Sequence, residues 1–174
     1  MLSIQPVLAN ISNVKWNAFP HVWKPAQLVP WKNDDRQVAC GVNSRNGYVY
    51  CQQGNSWKLV QGKLGQKIKL NRNHACMISY DTSSDLLCSK SVTSGNWVDY
   101  ERYHLVDFAL TDNWVCVVDS SQNVYCTGFW PFSGTDEAGH WLPLIGVQLY
   151  TIDIHGSKAC GLGQNLQLFC IQEL

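Results

Sequence analysis

Apolar and polar side chains alternate with a period of two over short stretches of this chain, and each stretch stops at a cluster of Asn, Asp, Ser and Gly. The clearest run is QKIKL, HACMISY, DLLCSK and WVDY, read in order from residue 66 to residue 100. Alternation of this kind places one face of each segment in a core and the other in water, so it predicts four short antiparallel strands. Between the second and third strands of successive units stand SRNG, DTSSD, DSSQN and GQN. These residues tolerate left-handed backbone or bond their own main chain, which makes them hairpin tips.

The pattern repeats. Trp57, Trp97 and Trp141 each precede a cysteine, Cys76, Cys116 and Cys160, by 19 residues, and Gly62 and Gly146 follow their tryptophans at one spacing. The first unit runs from Trp16 to Cys40 and is five residues longer, the excess lying around HVWKPAQLVPW. Repeats of about 40 residues with four strands each bury their faces against their neighbours around a ring. The chain stops after CIQEL, a third strand, and residues 14–19 (VKWNAF) match a fourth. The expected fold is therefore all-β: a small β-propeller of four 4-stranded antiparallel blades, with the N-terminal strand 14–19 closing the last blade. Repeat units fall at about 16–56, 57–96, 97–140 and 141–174, within one domain of 174 residues.

Cysteine usage adds a staple to each unit. The eight cysteines form pairs 10 to 12 residues apart, and folding each hairpin about its tip sets the two members opposite one another. Four bridges follow: Cys40–Cys51, Cys76–Cys88, Cys116–Cys126 and Cys160–Cys170. Short CxxC knuckles and Cys/His clusters, which a zinc site would use, are missing from the sequence. Disulfides imply an oxidising compartment and a secreted, extracellular protein, with buried thiols in a cytosolic protein as the alternative. The opening MLSIQPVLAN has no basic segment followed by an apolar one, so the expectation is that a leader was removed or that Met1 was added.

Charge narrows the partners. Thirteen basic and thirteen acidic side chains cancel and are scattered, leaving no electrostatic footprint for nucleic acid or an anionic membrane. No segment approaches 18 apolar residues, so membrane insertion is not expected. The five histidines, His21, His74, His104, His140 and His155, share no HxxxH spacing, so neither a metal nor another cofactor is expected. A GxSxG elbow, a glycine-rich phosphate loop and a recurrent acid pair are also missing, and the expectation is a non-enzyme.

The strings ACGVNSRNGYVYC, WKLVQGKLGQKIKL and DSSQNVYC resemble the tectonin-type β-propellers, the family of the fish egg lectins and tachylectin-like invertebrate lectins. The match covers residues 16 to 170 in pattern. Arg102 and Tyr103 replace the Gly-Leu pair of that repeat in the third unit, and MISY and GLGQ stand for GVNS in the second and fourth. The resemblance implies a multivalent carbohydrate-binding lectin, recognising N-acetylated sugars or microbial surface glycans in defence or in egg coats. Glycans or glycoproteins would be its partners. The alternative is a secreted protein-interaction or structural module that assembles as a homo-oligomer.

Candidate ligand residues are those that the repeat itself does not demand. Trp16, Trp57, Trp97 and Trp141 recur with it and are expected between blades. Trp31, Trp114, Trp130 and Phe132 do not recur, and aromatic faces suit the apolar side of a pyranose ring. The last two lie in TGFWPFSGTDEAGH, whose rings either bind a ligand or fold back over the rim. Asn43 and Asp119 share a position three after the first cysteine of their units, where Ser79 and Gly163 are equivalent. They either cap a turn or bond a ligand.

Overall fold

The computed structural model describes residues 23–25, 29–30, 37–53, 56–71, 74–90, 96–128, 141–156 and 158–171. They form sixteen strands, fourteen of them in a row of four antiparallel blades joined by polar turns. The first blade consists of β1 (Trp23–Pro25), β4 (Cys40–Asn43), β5 (Tyr48–Gln53) and the opening half of β6 (Ser56–Leu70). The second takes the rest of β6, then β7 (Ala75–Ser79), β8 (Leu86–Ser89) and β9 (Val98–Asp99). In the third are β10 (Leu105–Leu110), β11 (Trp114–Asp119), β12 (Val124–Gly128) and β13 (Leu142–Pro143). The fourth comprises β14 (Thr151–His155), β15 (Lys158–Leu162) and β16 (Leu168–Ile171). A separate pair, β2 (Val29–Pro30) with β3 (Gln37–Val38), stands beside the first blade.

Two departures from the expected strands have local causes. WKLV and QKIKL are one continuous strand, β6, whose first half pairs with β5 and whose second half pairs with β7. At the next two corners the chain turns sharply instead, because Glu101 and His104 take positive φ in one and Gly146 (φ +84°) in the other. The longer first unit uses its extra residues to bring Trp23–Pro25 beside β4, so an atypical, proline-bearing segment supplies the innermost strand. The fourth strand assigned to residues 14–19 lies outside the described residues.

All four disulfides join directly opposed residues of the middle hairpin, with Cα–Cα separations of 4.0–4.1 Å. The first three pairs face forward, toward the following blade, and the buried apolar side chains form three clusters at the three successive junctions. Val42, Val49 and Val60 meet Ile68, Met77 and Leu87 at the first. Ile78 and Leu86 meet Phe108, Val115 and Val117 at the second, and Val118 and Val124 meet Ile152 and Ile154 at the third. The repeat tryptophans pack backward, Trp97 against the first cluster and Trp141 against the second. One carboxylate ties the innermost strands together: buried Asp107 on β10 accepts from Lys67 of β6 at 2.6 Å and from the Ile152 amide of β14 at 2.9 Å. A carboxylate bonded on both sides in this way is satisfied despite its burial.

Candidate functional site

The tips of the middle hairpins lie along one rim, and their polar side chains are largely committed to shaping the turns. The Asn43 side-chain oxygen accepts the Arg45 amide at 3.0 Å, and its carbonyl accepts the Gly47 amide at 2.8 Å. Gly47 sits at φ +73° against the Tyr80 ring of the next tip, where a Cβ would come within 2.8 Å of the ring, so the position requires glycine. Asp119 closes its tip through the Ser121 and Asn123 amides, both at 2.9 Å, and bonds the Asn123 carboxamide at 3.1 Å. In the second blade Asp81 does the same work. The Ser83 and Ser79 hydroxyls and the Ser84 and Ser83 amides donate to it, and they hold its carboxyl below the usual carboxylate range.

At the fourth tip Gly163 replaces the capping side chain. Its amide bonds the Gln167 carbonyl at 2.9 Å, while Asn165 and Leu166 adopt left-handed backbone at φ 58° and 59°. This arrangement turns Gln164, Asn165 and Gln167 outward, all exposed. The Phe169 ring occupies the place of the missing side chain; a Cβ at Gly163 would stand 2.6 Å from it. Between this tip, the third tip and the connection 143–148 opens a groove of about 670 Å³. Carboxamides of Asn123, Gln148, Gln164, Asn165 and Gln167 line it, with the Phe169 ring and with Tyr125, whose own ring packs against the second cluster. Among the described residues, none of its walls carries a charged side chain. Tyr125 is backed by the Arg102 guanidinium, 4.2 Å from its ring centre.

A smaller hollow of about 300 Å³ lies at the corresponding place beside the second blade, with contrasting chemistry. Asp81, Asp85, Asp99 and Lys63 surround Tyr80 and Trp97 there. Among the described residues no three His, Cys, Asp or Glu side chains converge as a metal site would require. Behind the rim, burial pushes the Tyr100 hydroxyl above its ordinary range, and its carbonyl accepts the Trp141 indole at 3.2 Å. Burial and the neighbouring Lys90 bring buried His74 down to about 4.

The residues singled out from sequence are not gathered in one place. Asn43 and Asp119 sit at the tips of the first and third blades, and Trp114 is half-buried at the opposite end of β11 from Asp119. Trp31, Trp130 and Phe132 lie outside the described residues. Sequence reasoning passed over the five carboxamides, Tyr125 and Phe169. The available signal was the GQN tip, since two carboxamides in a turn that needs only one small residue are surplus to folding.

No family model matches the chain, and no curated protein matches it by sequence. Among solved structures it is similar to the CRINKLY WD40 ectodomain of the Arabidopsis thaliana receptor kinase ACR4, with a TM-score of 0.56 and 18% identity over 88% of this chain and 51% of that one. It is similar to yeast RCC1 (Prp20), solved bound to Kap60, at a TM-score of 0.57 and 11% identity over 85% of this chain and 43% of that one. The computationally designed Ika4 protein gives a TM-score of 0.57 and 11% identity over 90% and 94% of the two chains. The chain thus spans about half the length of the two natural proteins. At these identities the likeness is one of fold, and that fold is the β-propeller.

Proposed function

We propose that this chain is a non-enzymatic binding module that holds an uncharged glycan in the groove between its third and fourth blades. One observation carries the reading: among the described residues, five carboxamides and the Phe169 ring share a groove without a charged side chain. Carboxamides donate to and accept from sugar hydroxyls and N-acetyl groups, and a ring face covers the apolar side of a pyranose. A charged ligand would leave its charge unmatched there. The resemblance of ACGVNSRNGYVYC and DSSQNVYC to tectonin-type lectins points the same way, and four disulfides suit a secreted, extracellular protein. A glycan array with neutral N-acetylated sugars tests the reading, followed by titration of Gln164→Ala and Phe169→Ala. Binding that weakens about tenfold in each variant is expected, one lost hydrogen-bond set or ring contact being worth about 1.4 kcal/mol. Array signals at background would overturn it.

A protein ligand is the second reading, favoured by the apolar side chains on the same rim. Ile145 is 93% exposed in the wall of the groove, and Leu142 and Leu166 are exposed beside it. Exposed apolar side chains grouped in this way mark contact surfaces.

A further inference from the structure

The hollow beside the second blade is built from the positions that carry carboxamides in the fourth. The Ser79 amide bonds the Asp85 carbonyl at 2.9 Å, and the Gly163 amide bonds the Gln167 carbonyl at 2.9 Å. This shared bond aligns the two tips, with Tyr80, Asp81 and Asp85 in the places of Gln164, Asn165 and Gln167. Two carboxamides of one site are thus carboxylates in the other. With Asp99 they set three negative charges against the single Lys63.

Turn closure does not use up these carboxylates. The tip bonds the Asp81 side chain through Oδ1, and Asp99 accepts the Glu101 amide at 2.7 Å through its own Oδ1. Asp85 accepts the Ser83 hydroxyl at 2.7 Å through Oδ2, while its Oδ1 is buried and meets no donor among the described residues. Trp97 packs its ring on the first cluster, yet its buried indole N–H meets no acceptor among them either. A buried polar atom without a partner is costly, so two of them at one hollow point to a ligand that supplies what they lack. Tyr80, 46% exposed, lines the same hollow, and its ring lies against Gly47 of the first blade.

We propose that this hollow is a separate binding site for a primary ammonium group on a short apolar stem, with a hydrogen-bond acceptor beside it. The ammonium N–H groups match the remaining carboxylate oxygens, and χ2 of Asp85 turns at little cost to offer Oδ1. The stem lies on the Tyr80 ring, which also attracts the cation, and the acceptor meets the Trp97 N–H. A bare metal ion fits less well, because among the described residues no three such side chains converge on one point. The site is distinct from the groove between the third and fourth blades and does not depend on the glycan reading.

Two-dimensional NMR of the isotope-labelled chain, titrated with n-butylammonium chloride and matched against sodium chloride, tests the proposal. The Trp97 indole N–H and the Tyr80 and Asp85 amides are expected to shift and to saturate in the millimolar range, as suits so small a ligand. Asp85→Asn and Asp99→Asn keep the shape and the turn-closing oxygens, so each should retain the wild-type spectrum away from the hollow and bind about tenfold more weakly. Lys63→Gln alters an exposed side chain and should tighten binding about threefold. Tetramethylammonium chloride, which has no N–H, should bind more weakly than n-butylammonium. Shifts that match those from sodium chloride, or that fall on the groove residues instead, overturn the proposal. So do a Lys63→Gln variant that binds no tighter, tetramethylammonium binding as tightly as n-butylammonium, or calcium chloride saturating the same signals at lower concentration.

Discussion

The third and fourth blades carry the same bridge in the same register and differ in what lies in front of it. In the third, Cys116, Val118, Val124 and Cys126 are all at most 1% exposed beneath β14. In the fourth, Cys160, Leu162, Leu168 and Cys170 occupy the same four positions, and Cys170 and both leucines are exposed. Leucine and cystine are no less apolar than valine and cystine, so composition does not account for the difference. A strand pattern encodes a demand for burial, and the next element in the row meets it or leaves it open. The candidate groove lies between these same two blades, and its tip differs similarly: Asp119 closes the third tip with its side chain, whereas Gly163 leaves the fourth to its backbone.

Removing each bridge in turn separates the covalent contribution from the packing contribution and has the largest expected effect. Both bridges span 10 residues, so chain entropy assigns each the same value, about 2.5 to 3 kcal/mol. Cys116→Ala with Cys126→Ala also opens a hole in a closed cluster, which adds about 1 to 2 kcal/mol. Cys160→Ala with Cys170→Ala opens none. Urea unfolding should therefore rank the third-blade variant as the less stable, and equal losses would erase the contrast between the blades. A smaller effect should come from pH through His74, which lies beside Asn71 at the end of β6, where the Asn71 carboxamide bonds the Thr111 carbonyl of the third blade. Folded, the ring stays neutral down to about pH 4; unfolded, it takes a proton near its ordinary value of 6.5. The unfolded chain binds more protons between these values, so stability falls as pH drops from 6.5 to 4. His74→Gln should flatten that slope in melting temperature.

Much of this fold was legible because its signals are local. Cysteine spacing and tip residues lie within a dozen positions of one another, and they located the middle hairpin of every blade and every bridge, though not the β2–β3 pair. Alternation along the strands marks Val42, Ile68, Leu70, Phe108, Leu110, Ile152 and Ile154 as interior, and all are buried except Leu110, which is half-buried. What alternation does not carry is the path between hairpins. Whether Gln61–Gly65 runs straight or turns, as residues 100–104 do, depends on the neighbouring blade, where a Cβ at Gly65 would already touch Met77 and Val49. The candidate site was less legible for the same reason. Asn43 and Asp119 were recognised as turn residues with a second reading open, and each side chain is engaged in its own tip. The groove is assembled from Asn123, Gln148 and Gln164, which lie far apart along the chain, and only the docking of two blades brings them together.

The difference between the third and fourth blades is tested most directly by stepwise reduction of dilute native protein with a mild thiol, alkylation at intervals and peptide mapping. A thiolate must reach a sulfur to attack it, and only the fourth bridge has an exposed member. Cys160 and Cys170 are expected to be alkylated first and together, with the other six cysteines protected until the protein unfolds. Simultaneous labelling of all eight, or labelling of Cys116 and Cys126 first, would contradict an open fourth blade.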